Sequence, residues 1–283
     1  MAIKAIVLDI DGTLLNTGKI IAEKTKQALV AAQKKGIKVI LASGRPTTGM
    51  FDLAEQLEMT KYEGFLVSYN GARVTDCLTK DVLFNQAMSV GTGQAILEHL
   101  KKFKVVPMID KEDYLYVNDV YSKDLQKVAT DFNLEEFGSI IEYEARGGNF
   151  KLCEKEDLAA FADFPINKIL VAGKPDYMAE HAEAMHTPFD EKVTAAFSAP
   201  FYFEFTDKGI DKAKALNTVF PEMGIHSDNI IAFGDGHNDR SIIEYAGIGI
   251  AMGNAVDELK EIADDVTLSC DEDGIAAGLE KYL

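Results

Sequence analysis

No stretch of 18 or more apolar residues occurs in the sequence, so no membrane-spanning helix is expected. Cysteine is scarce. Cys77, Cys153 and Cys270 lie far apart, form no C-x-x-C pair and show no zinc-ligand spacing, which reads as free thiols in a reducing cytoplasm. Basic residues are also in short supply: 29 Lys and Arg face 46 Asp and Glu, leaving a net charge of −17. That balance excludes nucleic acid as an expected partner, because phosphate backbones are held by clustered cations. An anionic ligand can then bind only where local cations or helix N-termini reverse the field. Low-complexity tracts and fixed-period repeats are absent. The opening "MAIKAIVLDI" has one Lys, a very short apolar run and no small-residue cleavage site. It reads as a first β-strand, not a signal peptide.

What is present is the composition of a soluble globular chain, 47% apolar and 27% charged, with 283 residues that suit two domains of ordinary size. The first part alternates strand and helix. "AIVLDI" is a continuous apolar run, "EKTKQALVAAQKK" (Glu23 to Lys35) a helix stopped by Gly36, and "KVILAS" (Lys38 to Ser43) a second strand. "TTGMFDLAEQL" (Thr47 to Leu57) reads as a helix and "GFLVSYNGA" (Gly64 to Ala72) as a third strand. The middle section has shorter, half-buried strand patterns such as "LYVND", "NKILVAG" and "VTAAFS". They imply a separate α+β domain, an antiparallel sheet with helices on one face. The first rhythm then returns with "DKAKALNTVF", "NIIAFGD" and "IGIAM"; Pro221 implies an early end or a kink in the first of these. The expected fold class is α/β, a Rossmann-like parallel sheet core interrupted by an α+β insertion. The expected boundaries are 1–84 and 203–283 for the core and 85–202 for the insertion.

Ligands of a parallel α/β sheet bind at the carboxyl ends of its strands. Those ends carry Asp9 and Asp11, then Ser43 with Gly44 and Arg45, then Tyr69 with Asn70, and finally Asp235 to Asp239. Each piece alone has an ordinary explanation: "DG" is a common turn, "SGRP" a junction where Pro opens a helix, and "GDGHND" a capped loop. Those explanations do not account for their convergence on one sheet edge. Carboxylates gathered there repel one another unless a divalent cation neutralises them, and hard oxygen ligands of this kind suit Mg²⁺.

The segments "DIDGTL" (Asp9 to Leu14), "ASGRP" (Ala42 to Pro46), "KGIDK" (Lys208 to Lys212) and "GDGHND" (Gly234 to Asp239), in that order, resemble the four motifs of the haloacid dehalogenase superfamily. "YNGA" (Tyr69 to Ala72) and "AGIGIAMGNAVDELKEIADDVT" (Ala246 to Thr267) resemble its Cof-type branch, and the insertion lies where a type C2 cap would. The resemblance implies a Mg²⁺-dependent phosphatase for small phosphorylated metabolites, most plainly sugar phosphates, with specificity residing in the cap. It makes Asp9 the nucleophile that forms an aspartyl-phosphate and Asp11 the acid that protonates the leaving alcohol and then activates water. The metal would take the Asp9 and Asp235 carboxylates and the Asp11 carbonyl, with Asp239 in support. Ser43 would donate to a phosphoryl oxygen, Lys212 would neutralise charge and restrain Asp9, and Thr13, Gly44, Arg45 and Asn238 would contact the phosphoryl group. Arg45 equally suits structural pairing; Lys208 has a weaker claim than Lys212, and the motif supplies no role for His237. Rival readings are a phosphohexomutase, a sugar-phosphate-binding regulator that has lost catalysis and, more remotely, a dehalogenase. The sequence is silent on oligomeric state.

Overall fold

The computed structural model describes residues 2–283, which form two compact units. One comprises the residues up to Asn85 together with Ile210–Leu283; the other is the insertion, Gln86–Gly209. The first unit begins with β1 (Ala5–Leu8), β2 (Lys38–Ala42), β3 (Phe65–Ser68), β4 (Arg73–Asp76) and β5 (Val82–Asn85). The insertion supplies β6 (Val106–Lys111), β7 (Tyr114–Val117), β8 (Lys151–Glu154), β9 (Lys168–Ala172), β10 (Val193–Ala199) and β11 (Tyr202–Asp207). The chain then completes the first unit with β12 (Ile230–Gly234), β13 (Ile248–Ala251) and β14 (Asp265–Val266). Among the described residues no helix is long and apolar enough to cross a membrane.

The core sheet runs β14-β13-β12-β1-β2-β3-β4-β5, parallel from β14 to β3 and antiparallel over the last two pairings. Every residue of β1, β3 and β12 is buried, as a parallel strand covered on both faces requires. β1 sits between β2 and β12, so the ends of these three strands lie side by side. One strand ends earlier than its sequence pattern implies, and one helix ends early as Pro221 implied. The third strand stops at Ser68, because Tyr69–Gly71 forms a 3₁₀ turn with positive φ throughout. The helix starting at Lys212 ends at Val219, and Pro221 falls in the 3₁₀ turn Phe220–Met223 that follows it.

The insertion holds a six-stranded sheet, β10-β11-β9-β6-β7-β8, antiparallel except for the β7–β8 pair. Its strand Tyr202–Asp207 pairs with β9 and β10, so the chain leaves this sheet later than residue 202. Helices cover both faces of the sheet, not one. Ile109, Ile169, Val171, Phe203 and Phe205 pack with Ile96, Leu97, Met178 and Met185. Their strand neighbours Met108, Leu170 and Tyr202 join Leu125, Val128, Ile140 and Ile141 in a second cluster. All five residues of β9 are buried for that reason, where a half-buried pattern was expected. Phe205 is fully buried and meets Phe203 edge-on at 5.3 Å. Phe205→Ala is expected to destabilise the insertion by about 3–5 kcal/mol. Urea denaturation followed by circular dichroism checks this, and a loss below about 1 kcal/mol would contradict the packing described.

Candidate active site

β1 delivers Asp9 to the sheet edge at 5% exposure, where its backbone N–H donates to the Phe233 carbonyl of β12 at 3.1 Å. β12 ends at Gly234, and the loop behind it carries Asp235 and Asp239. From the helix Lys212–Val219 comes Lys212, at 1% exposure, whose Nζ donates to Asp9 Oδ1 at 2.8 Å and to Asp239 Oδ1 at 2.6 Å. The other Asp239 oxygen accepts the backbone N–H groups of Asp235 and Gly236 at 3.0 and 2.9 Å. Thr13 Oγ donates to Asp235 Oδ1 at 2.7 Å. Gly12 lies under the Asp235 carboxylate with φ of 87°; any Cβ there would collide with that side chain.

One ammonium therefore serves three acids. Burial pushes the Asp9 carboxyl up to about 7; Lys212 pulls it down, while Asp239 and Asp235 push it further up. Burial also raises Asp235, against the hydrogen bond from Thr13 and with repulsion from Asp239. Burial alone would lower the Lys212 ammonium, yet Asp9 and Asp239 together hold it above its ordinary value, so it stays charged. Oxygens of Asp9, Asp235 and Asp239 lie within 4.8 Å of one another. This all-oxygen, under-neutralised donor set fits a divalent cation.

Asp11 meets different surroundings. Its side chain is 42% exposed and faces two cations. Arg45 grips it with two bonds, Nε to Oδ2 at 2.7 Å and the guanidinium NH2 group to Oδ1 at 2.8 Å, while Lys19 Nζ adds a third to Oδ1 at 3.0 Å. Partial burial works to raise the Asp11 carboxyl, but the Arg45 bonds and charge, joined by Lys19, bring it below the ordinary range. Arg45 thus does the pairing that its position equally suited. Lys19 was not singled out in the sequence; it sits in a tight turn with φ of 58°, and its N–H donates to the Asn16 carbonyl. A bridge between Leu15 and Ile21 closes that hairpin and returns Lys19 to Asp11.

Ser43 is buried at the end of β2, where its hydroxyl oxygen accepts the Arg45 N–H at 3.2 Å. Asn238 lies exposed on the loop after β12, and Gly44 lies against the Asn70 carboxamide. Asn254, inside "AMGNAV", is a second residue missed as an individual. Its amide donates to the Gly12 carbonyl at 2.8 Å and its oxygen accepts the Cys270 N–H at 2.9 Å, pinning the loop after Asp9. Lys208 lies in the insertion and donates to the Asp190 carbonyl. Arg240 pairs with Glu244 on the surface, and His237 is exposed.

An aspartate at the end of β1, a buried lysine beside it and an acidic loop after β12 define a hydrolase site of the haloacid dehalogenase type. A model of the haloacid dehalogenase-like hydrolase family matches residues 6–279, and the chain belongs to that family. A haloacid dehalogenase-like hydrolase from Bacteroides thetaiotaomicron superposes with a TM-score of 0.88 at 30% identity, over 99% of this chain and 100% of its own. Two Bacillus subtilis proteins, phosphatase YwpJ and 5-amino-6-(5-phospho-D-ribitylamino)uracil phosphatase YcsE, are each 28% identical. Both matches cover 99% of this chain, and 100% and 96% of the respective relatives.

The raised Asp9 carboxyl has a definite sign. Its folded value exceeds the unfolded one, so metal-free protein binds an extra proton between about pH 4 and about 7. Stability from this group is full below that window and falls as pH rises through it. Metal-free wild type should therefore lose melting temperature from pH 5 to 7.5 relative to Asp9→Asn. A wild-type profile parallel to that of the variant would contradict the assignment. Lys212→Met, which strands two buried carboxylates, should destabilise by about 3–5 kcal/mol at neutral pH, read by urea denaturation.

Proposed function

We propose that this protein is a Mg²⁺-dependent phosphatase of the Cof-type branch, acting in the cytoplasm on small phosphorylated metabolites, sugar phosphates foremost. The observation that carries the reading is the Asp9–Lys212–Asp239 arrangement: a buried carboxylate aligned by one cation and surrounded by further acids. One oxygen of Asp9 is committed to Lys212, which fixes the plane from which the other presents itself to phosphorus. In-line attack forms the Asp9–phosphorus bond and breaks the bond to the ester oxygen, giving an aspartyl-phosphate and a leaving alkoxide. Asp11 supplies a proton to that oxygen and later takes one from the water that hydrolyses the intermediate. As held by Arg45 and Lys19, Asp11 is an anion suited to the second step. Carrying a proton in the first requires that grip to loosen, and an arriving phosphoryl dianion competes for the same two cations.

Ser43 and Asn238 would donate to phosphoryl oxygens, and the Gly44 backbone and Thr13 would contact the same group. The Thr13 hydroxyl is already given to Asp235, so its share falls to positioning that acid. Mg²⁺ would be held by the Asp9 and Asp235 carboxylates and the Asp11 carbonyl, with Asp239 orienting the loop; bound there, it would supply positive charge for the developing phosphoryl charge. The name of the YcsE relative, which specifies a phosphorylated ribityl compound, is in keeping with a small polyol or sugar ester as substrate.

A screen of phosphorylated metabolites and an aryl phosphate, with and without Mg²⁺, tests the reading. Phosphate release should require the cation, and Asp9→Asn should lower kcat by more than about 10⁴-fold. Interconversion of hexose phosphates without phosphate release would make the protein a mutase. Absence of turnover in wild type and variant alike would leave a binding protein.

A further inference from the structure

The turn Tyr69–Gly71 takes no part in the chemistry just described, yet it touches three of the segments that do. Its three residues all have positive φ: 51° at Tyr69, 55° at Asn70 and 102° at Gly71. For a buried aromatic residue such as Tyr69 this is a costly conformation, and the surroundings must over-determine it. They do. The Tyr69 N–H donates to the Arg45 carbonyl at 3.0 Å and the Asn70 N–H to the Ser43 carbonyl at 2.9 Å, so the turn is stitched to the loop after β2. Gly71 lies against the Asp211 carbonyl, where a Cβ would clash, beside the start of the Lys212 helix. On the third side, Asn238 Nδ2 donates to Asn70 Oδ1 at 3.2 Å. The Asn70 Nδ2 atom lies 3.0 Å from where a Cβ on Gly44 would sit. The carboxamide is thus wedged between the Ser43–Arg45 loop and Asn238.

We propose that Asn70 is a positioning residue for the phosphoryl site, acting through Asn238. Asn238 is exposed on its loop, and its amide plane has no reason of its own to hold one direction. Committing one Nδ2 hydrogen to Asn70 fixes that plane and therefore aims the second hydrogen, the one assigned to a phosphoryl oxygen. The left-handed backbone at Asn70 is what brings its carboxamide to the middle of the wedge. Asparagine is among the few side-chain-bearing residues that accept this backbone readily and also present an acceptor. The inference rests on the phosphatase reading of Asn238.

The test is a double-mutant cycle in the full chain with Mg²⁺, using an aryl phosphate as substrate and inorganic phosphate as competitive inhibitor. Asn70→Gly keeps the left-handed backbone and removes only the carboxamide, so it should melt with the wild type. Its kcat/KM should fall about 10- to 100-fold, and inorganic phosphate should bind more weakly. In an Asn238→Ala background the same substitution should change neither quantity. Asn70→Asp, which keeps an acceptor oxygen, is the second variant and should retain its coupling to Asn238. Wild-type kinetics in Asn70→Gly, or losses that simply multiply in the double variant, would overturn the inference while leaving the phosphatase reading intact. Wild-type kinetics in Asn238→Ala would overturn the inference together with the assignment of Asn238 to the phosphoryl group, whereas absence of turnover in the wild type would overturn the phosphatase reading itself.

Discussion

A single buried ammonium organises this molecule. Lys212 is almost wholly removed from water and bonds two carboxylates from opposite ends of the chain, Asp9 from the first strand and Asp239 from the loop after β12. Burying charge is tolerated only when it is paired and hydrogen-bonded, so each of the three side chains depends on the other two. The dependence extends outward. Asp239 spends its second oxygen on the amides of Asp235 and Gly236, and Thr13 bonds Asp235 in turn. The loops after β1 and β12 are thereby tied to one lysine. The whole-chain charge of −17 makes this local arrangement more telling, because the site concentrates acids around a cation in a protein already rich in them.

Two acids two positions apart end in opposite environments. Asp9 is buried and pushed up toward neutrality; Asp11 is half exposed, faces Arg45 and Lys19, and is held below its ordinary range. Separation of this kind lets neighbouring carboxyl groups take different chemical roles on one short segment. It follows from the direction of the chain: the segment leaves the sheet at Asp9 and turns at Gly12 beneath Asp235. Asn254 braces that turn from behind through the Gly12 carbonyl.

The core strands were legible because buried parallel strands are written as unbroken apolar runs, and "AIVL" and "NIIAF" admit few other readings. The clustering of Asp9, Asp235 and Asp239 was legible for a related reason: strand ends in such a sheet lie along one edge. The insertion was less readable. Its strands alternate between two buried faces, and a fully buried strand such as β9 carries a lysine that mimics an exposed position. Lys19 and Asn254 escaped notice because their parts are played by long-range contacts to Asp11 and Gly12 that no local spacing records. The turn at Tyr69 was hidden by its own composition, since an aromatic residue after "FLVS" reads as more strand.

The core sheet is sewn from two stretches of chain that the insertion keeps far apart: β1 pairs residue for residue with β12, Ala5 against Ile230. Such a pairing closes late, because its loop entropy must be met before its contacts form. A growing polypeptide emerging from the ribosome displays Asp9 early, at the end of a strand that has β2 to pair with but still lacks β12. The lysine and the second acidic loop that alter its character are made only after the entire insertion. The altered surroundings of Asp9 therefore arise only once Lys212 and Asp239 have been made.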